Sequence, residues 1–158
     1  MKLREAARAL IVDDDGCVLL VRFEFNGHTV WATPGGGLEP GEDPVEGLRR
    51  ELSEELGLAD PTIGPQVWER THLIPLSTGH DGQRERIFLV RTPRFAPEPA
   101  IGWEQMRAES VHEMRWWSLD EITALDAPHT RFAPSRLAEL LPPLLAGELP
   151  DTPLDTGV

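Results

Sequence analysis

The stretch RRELSEELGLAD (residues 49–60) concentrates four carboxylates and two arginines in a dozen residues. Signals for a helix surround it. Asp43 is a good N-cap, Pro44 a good first helical residue, and Gly57 a natural C-cap. We therefore predict a helix over residues 44–56, anchored to a core by an apolar stripe that includes Leu48 and Leu52.

Three glutamates of this helix share one face. Glu51, Glu54 and Glu55 stand at positions i, i+3 and i+4, which places them within an arc of about 100°. Carboxylates at this spacing repel one another, and the helix dipole disfavours anions in the C-terminal half. A divalent cation would relieve both effects, and carboxylate oxygens suit Mg²⁺ or Mn²⁺. A solvated charged face is the competing interpretation.

The segment PGGGLEPGE (residues 34–42) precedes the helix. Glycine lets the backbone approach an ion or ligand closely, so a backbone carbonyl of this segment could complete a coordination shell. An ordinary Gly-Pro turn is the alternative interpretation.

Taken together, residues 36–58 resemble the Nudix box, G-x5-E-x7-R-E-U-x-E-E-x-G-U, in which U is a bulky aliphatic residue. Every defining position has a matching residue. These are Gly36, Glu42, Arg50, Glu51, Leu52, Glu54, Glu55, Gly57 and Leu58. The flanking stretches WATPGGGLEPGE and MRWWSLDEI are also similar to that family, so the resemblance to a Nudix hydrolase extends over most of the chain.

This resemblance implies an α/β fold, an α/β/α sandwich with a mixed sheet. It also implies Mg²⁺-dependent hydrolysis of a nucleoside diphosphate linked to another group, X. Carried over by position, the metal ligands would be the Gly36 backbone carbonyl and three glutamates, Glu51, Glu54 and Glu55. Arg50 would orient a glutamate, while Glu42 and Gly57 would support the box structurally, Glu42 by pairing near Arg50.

The general base is open between several carboxylates. We favour Glu54, which would take a proton from the attacking water. Glu109, in the loop ahead of MRWW, is the rival, because some family members recruit a residue from that region. Glu85 is a further candidate, because a strand could aim it at the cleft. A solvated loop glutamate is the competing interpretation for Glu109.

Substrate contacts are predicted from aromatic and basic residues near the box. Trp31, Phe23 or Phe25 could stack on a base, although a core aromatic is the alternative. Three arginines could bind phosphates bidentately, with surface positions as the alternative: Arg22, Arg84 and Arg86. Glu85 is included as a possible substrate contact. No motif selects among the nucleotide classes, and the five histidines lack zinc-ligand spacing.

Strands are predicted on both sides of the helix. Residues 7–25 indicate a hairpin around Asp15-Gly16. Further strands are expected at residues 66–76, 84–95 and 114–119, a helical turn at 119–125, and a helix over 134–149 bent near Pro142 and Pro143. We assign residues 1–148 to one domain and expect 149–158 to form a flexible C-terminal tail.

Composition narrows the class of protein. The chain has 158 residues and a formal net charge of −12, which suits one domain and argues against docking on a nucleic-acid backbone. A single cysteine, Cys17, excludes an internal disulfide. No membrane span or signal-like run is evident, so we expect a cytoplasmic protein. A nucleotide-sensing or protein-binding module is the alternative function, and a homodimer is plausible because many relatives pair.

Overall fold

The structure is a computed structural model that describes residues 1–158. It contains nine strands and four helices. The strands are β1 (Leu3–Val12), β2 (Val18–Phe25), β3 (His28–Ala32), β4 (Gly35–Gly37), β5 (Gln66–His72), β6 (Gly82–Arg91), β7 (Val111–Trp117), β8 (Thr130–Ala133) and β9 (Leu154–Asp155). The helices are α1 (Pro44–Leu56), α2 (Trp103–Ala108), α3 (Leu119–Ala124) and α4 (Leu137–Leu145).

The strands form one mixed sheet in the order β8-β3-β2-β1-β6-β5-β9, with β4 added beside β1 and β7 beside β2. Three pairs are parallel: β1 with β6, β3 with β8, and β5 with β9. The predicted hairpin is confirmed, because β1 and β2 pair antiparallel around a turn in which Asp13 accepts hydrogen bonds from the N–H groups of Asp15 and Cys17.

Helices cover both faces of the sheet, which confirms the predicted α/β/α sandwich. On one face, α3 and α4 pack Ile122, Leu137 and Leu141 against strand residues such as Leu10 and Leu20. The other face is covered by α1 and α2, whose core residues are Leu48, Leu52, Leu56 and Met106. Burying both faces of the sheet supplies the apolar burial that stabilises a domain of this size.

Helix α1 has the predicted bounds, whereas α4 is shorter than predicted. Helix α4 begins at Leu137 and contains both Pro142 and Pro143. None of the four helices is long and apolar enough to cross a membrane.

The C-terminal residues differ from the flexible tail predicted over 149–158. Strand β9 pairs in parallel with β5, and the Thr156 N–H donates to the Glu69 carbonyl at 3.0 Å. Thr156 is fully buried, and the Val158 carbonyl accepts from the Ser135 N–H at 3.0 Å. The sequence PDTPLDTGV lacks apolar periodicity, so its backbone pairing with a distant strand could not be predicted locally.

Truncation after Pro150 should therefore destabilise the protein. It removes β9 and uncovers the edge of β5, so we expect the midpoint of thermal unfolding to fall by at least about 3 °C. Differential scanning calorimetry measures this change, with Asp151→Ala, at an exposed position before β9, as the control. An unchanged midpoint in the truncated chain would support the flexible tail that the sequence predicted.

Candidate functional site

Helix α1 is fixed at both ends, so its acidic face has a defined orientation. The Asp43 side chain accepts hydrogen bonds from the N–H groups of Val45 and Glu46, each at 3.1 Å. At the other end Gly57 adopts φ 67°, and a Cβ there would lie 2.5 Å from the Glu98 carbonyl oxygen. Only glycine suits this left-handed, crowded position.

The Glu51 carboxylate lies directly against the backbone of Gly36. A Cβ added at Gly36 would stand 2.9 Å from the Glu51 carboxyl carbon and 3.0 Å from each of its oxygens. Gly36 belongs to β4, which pairs with β1 opposite Ala7. Because the glycine has no side chain, the Glu51 carboxylate can occupy the space that a Cβ would fill.

Arg50 connects the loop before α1 to the acidic face. Its Nε lies 3.1 Å from Oε2 of Glu42, and its Nη2 lies 3.0 Å from Oε1 of the same residue. Its Nη1 lies 3.3 Å from Glu51 and 3.6 Å from Glu54. The structure thus brings together the residues for which the resemblance implied orienting and supporting roles.

Burial makes this cluster of carboxylates costly to ionise without a cation. Desolvation raises the pKa of Glu51, against the attraction of Arg50. Desolvation and the adjacent Glu51 carboxylate raise the pKa of Glu55 to about 8, against the attraction of Arg8. The Glu109 carboxylate pushes both pKa values in the same direction, so this predicted residue lies near the face.

The donor set fits Mg²⁺ or Mn²⁺, because it consists of hard carboxylate and carbonyl oxygens. The side chains do not yet form a coordination site, since no three acidic, histidine or cysteine residues lie close enough together to bind one metal ion. Glu54 has 44% of its side chain exposed, so it can turn towards Glu51 without repacking the core. The residues therefore fit a divalent metal, once Glu54 rotates.

Glu85, a candidate base because its strand could aim it at the cleft, is held by protein partners. It is buried and accepts hydrogen bonds from Arg8 at 2.8 Å, from Arg70 at 3.1 Å and from Gln83 at 2.7 Å. Although desolvation opposes them, the two arginines lower the pKa of Glu85 to about 2. A carboxylate this acidic is a poor proton acceptor at neutral pH.

A cavity of about 450 Å³ contains this buried ion cluster. Phe23 and Phe25 line it, as the sequence suggested, and Arg8, Arg70 and Glu85 line it as well. We call it the arginine cavity. It adjoins the acidic face of α1, because the Glu55 and Glu51 carboxylates act on the charge of Arg8 and because Ser110, next to Glu109, also lines it.

The other predicted substrate contacts lie elsewhere. Trp31 is a core residue with 6% exposure and an edge-to-face contact of 5.1 Å with Trp117, so its predicted stacking on a base is wrong. Its strand places it among the residues covered by α4. Three arginines are outside the arginine cavity: Arg22, Arg84 and Arg86.

Each of these arginines has its own surroundings. Arg22 forms ion pairs with Glu24 and Glu113 at the surface. Arg84 is half-buried, and its guanidinium lies 3.7 Å from the Glu69 carboxylate. Arg86 lines a separate cavity beside the loop before α1. The predicted phosphate contacts therefore do not form one group.

Sequence reasoning missed Arg8 and Arg70. Both occupy strand positions, Arg8 between two alanines in ARALIV and Arg70 between Glu69 and Thr71 in VWERTH. A charge inside an apolar strand is expected only when it is paired, so Arg8 was a signal for a buried partner, whereas the polar neighbours of Arg70 gave no such signal. The partner, Glu85, lies 77 residues from Arg8 and 15 from Arg70.

The fold places a loop–helix–loop beside a mixed sheet, and the acidic face of its helix α1 carries Glu51, Glu54 and Glu55. This combination is typical of a hydrolase domain. The NUDIX domain model matches residues 2–140, and the chain therefore belongs to the NUDIX domain family.

Known relatives agree with this assignment. Nucleoside triphosphatase NudI of Salmonella typhimurium is 39% identical over 87 residues, a match that covers 51% of this chain and 59% of the relative's length. A MutT NUDIX hydrolase from Burkholderia pseudomallei superposes with a TM-score of 0.64 at 24% identity, covering 90% of this chain and 99% of that one. The NUDIX domain of Shewanella oneidensis NrtR, complexed with ADP ribose, has a TM-score of 0.62 at 18% identity, covering 94% and 88%.

The raised pKa of Glu55 predicts a pH-dependent stability in metal-free solution. Below its unfolded pKa of about 4.5, the Glu55 carboxyl is neutral in both the folded and the unfolded protein and does not lower the stability. As the pH rises towards 8, the folded state keeps a proton that the unfolded state releases, so stability is lost. At pH 8 the free energy of unfolding of Glu55→Gln should therefore exceed that of the wild type by roughly 1–3 kcal/mol.

Urea denaturation with a chelator present, at pH 4.5 and pH 8, measures this divergence. Glu46→Gln provides the matched control, because Glu46 is an exposed residue in the first turn of the same helix. Parallel pH profiles for wild type and Glu55→Gln would contradict the buried, repelling cluster.

Proposed function

We propose that this chain is a Mg²⁺-dependent hydrolase that cleaves a pyrophosphate bond in a nucleoside diphosphate linked to another group, X. A nucleoside triphosphate is the simplest such compound, with phosphate as X, and the name of the Salmonella relative supports that class. One observation carries the proposal: the acidic face of α1 is packed against Gly36 and adjoins a cavity large enough for a nucleoside.

The residues that would hold Mg²⁺ are Glu51, Glu54, Glu55 and the Gly36 carbonyl. Mn²⁺ has the same preference for oxygen ligands and should support the reaction in place of Mg²⁺. When bound, the ion supplies charge neutralisation at the phosphate oxygens and lowers the pKa of a nearby water.

The remaining chemistry belongs to side chains. Glu54 accepts the proton of the attacking water, while the water oxygen bonds to phosphorus and the bridging P–O bond breaks. Arg50, held bidentately by Glu42, keeps Glu54 at the face. Glu109 is the rival base, because it lies near enough to influence Glu51 and Glu55 electrostatically.

A nucleotide-sensing module is the second candidate. The ADP ribose complex of the Shewanella NUDIX domain favours it, since that domain binds a nucleotide derivative. The intact set of box carboxylates in this chain favours hydrolysis. A homodimer and a cytoplasmic location stay predictions.

Glu54→Gln should lower kcat by at least about 100-fold on the best substrate, because it removes the proton acceptor. Glu109→Gln should lower it less than about tenfold. The assay uses a panel of nucleoside triphosphates and NDP-X compounds with Mg²⁺, and both products are identified. Glu104→Gln, an exposed glutamate of α2, is the matched control.

The outcomes separate the candidates. A large loss for Glu109→Gln with an unchanged Glu54→Gln would transfer the base role to Glu109. Binding of nucleotides by the wild type without any hydrolysis across the panel would replace the enzyme with the sensing module.

A further inference from the structure

The arginine cavity combines apolar walls with a charged, buried floor. Apolar side chains make up much of its wall, among them Phe23, Val30, Ile74 and Leu76. At the floor, Arg8 and Arg70 share Glu85. Sites for small molecules commonly have this composition, in which apolar walls hold a flat group and a few polar atoms fix its orientation.

Glu85 is committed to its protein partners. It accepts three hydrogen bonds, from Arg8, Arg70 and Gln83, which occupy most of the acceptor capacity of a carboxylate. The floor therefore carries two guanidinium groups and one carboxylate, a net positive charge. The remaining hydrogen-bonding capacity of the floor consists mainly of donors. Glu24 also lines the cavity, but its carboxylate accepts from Arg22 and Thr29.

Arg70 holds the clearest excess of donors. Its exposure is 7%, yet its only hydrogen bond runs from Nη1 to Glu85, so one of five N–H donors is used. Its Nε is sealed from solvent and has no partner. A ligand in the cavity cannot reach this sealed atom. Nη2 also has no hydrogen bond but is not sealed, and because Arg70 lines the cavity, an acceptor bound there can satisfy its donors.

The location of the cavity suggests which part of a nucleotide enters it. Burial disfavours the charged form of Arg8, but the Glu85 carboxylate and the more distant Glu55 and Glu51 carboxylates outweigh this effect and raise the pKa of Arg8. Arg8 thus stands between the cavity and the acidic face. A nucleotide whose phosphates lie at that face can extend its base into the cavity, between apolar walls that suit a flat ring.

We infer that Arg70 makes this enzyme selective for nucleobases that present a carbonyl oxygen, namely 6-keto purines or 4-keto pyrimidines. The inference rests on the proposed function and deepens it. A carbonyl oxygen accepts from the spare guanidinium donors. An amino group at the same ring position would bring donor against donor and leave Arg70 unsatisfied, and a donor-lined site rejects such an exchange strongly.

Matched substrate pairs isolate this single exchange. ITP and ATP differ at purine C6, where a carbonyl replaces an amino group, and UTP and CTP differ in the same way at pyrimidine C4. The wild type is assayed with Mg²⁺ on both pairs, and the pair with the higher kcat/KM is used for the comparison. Within that pair, kcat/KM should be at least about tenfold higher for the keto member than for the amino member. The difference should lie mainly in KM, because the contact is remote from the reacting phosphorus.

Variants of Arg70 connect the preference to this residue. Arg70→Met should reduce the keto-to-amino ratio of kcat/KM to within about threefold of unity, and Arg70→Lys should restore part of it. Arg91→Met is the matched control, because Arg91 is an exposed arginine at the end of the next strand, β6, and lies outside the cavity. Thermal unfolding of each variant tests for misfolding, which by itself would not change the ratio between two substrates.

The outcomes distinguish this inference from the proposed function. If the wild type hydrolyses no nucleotide of the panel, the proposed function fails first. If it hydrolyses them with equal efficiency for keto and amino members, or if Arg70→Met keeps the wild-type ratio, the role of Arg70 is wrong while the enzyme stands. If the wild type strongly prefers a compound whose X group is anionic, and Arg70→Met loses that preference, the anionic group and not the base occupies the arginine cavity, and the inference is wrong.

Discussion

The contact between the Glu51 carboxylate and the Gly36 backbone sets the arrangement of the whole site. It depends on two independent features. The apolar stripe of α1 fixes the helix on the sheet through Leu48, Leu52 and Leu56, and the pairing of β4 with β1 fixes the glycine. Because both partners belong to ordered elements, the Glu51 carboxylate is held against the Gly36 backbone, and fixed positioning of this kind is the preorganisation that a metal site needs.

Two buried clusters of charge with opposite requirements stand side by side. At the acidic face, carboxylates exceed cations, and the pKa of Glu55 rises to about 8. At the floor of the arginine cavity, Arg8 and Arg70 share the single carboxylate of Glu85, whose pKa falls to about 2. A metal nucleotide bound as proposed would supply a cation to the glutamates and a neutral acceptor edge to Arg70.

Local signals in the sequence were sufficient for α1 and the first hairpin, whereas the sandwich architecture was implied by the resemblance to the Nudix family. Caps and turns act within a few residues, so Asp43, Gly57 and the Asp15-Gly16 turn could be interpreted directly. Contacts between residues distant in sequence could not be predicted in this way. Strand β9 is paired by its backbone alone, and the core position of Trp31 follows from how β3 packs under α4. Arg8 and Arg70 became meaningful only when the parallel pairing of β1 with β6 brought Glu85 between them.

The central claim is that the carboxylates of α1 and the Gly36 carbonyl hold a divalent ion. Anomalous diffraction from crystals soaked in Mn²⁺ with a non-hydrolysable nucleotide tests it most directly. The account predicts a strong manganese peak in contact with Glu51, Glu55 and the Gly36 carbonyl oxygen, and its loss in Glu51→Gln. An empty map at this position, with nucleotide bound in the arginine cavity, would contradict it.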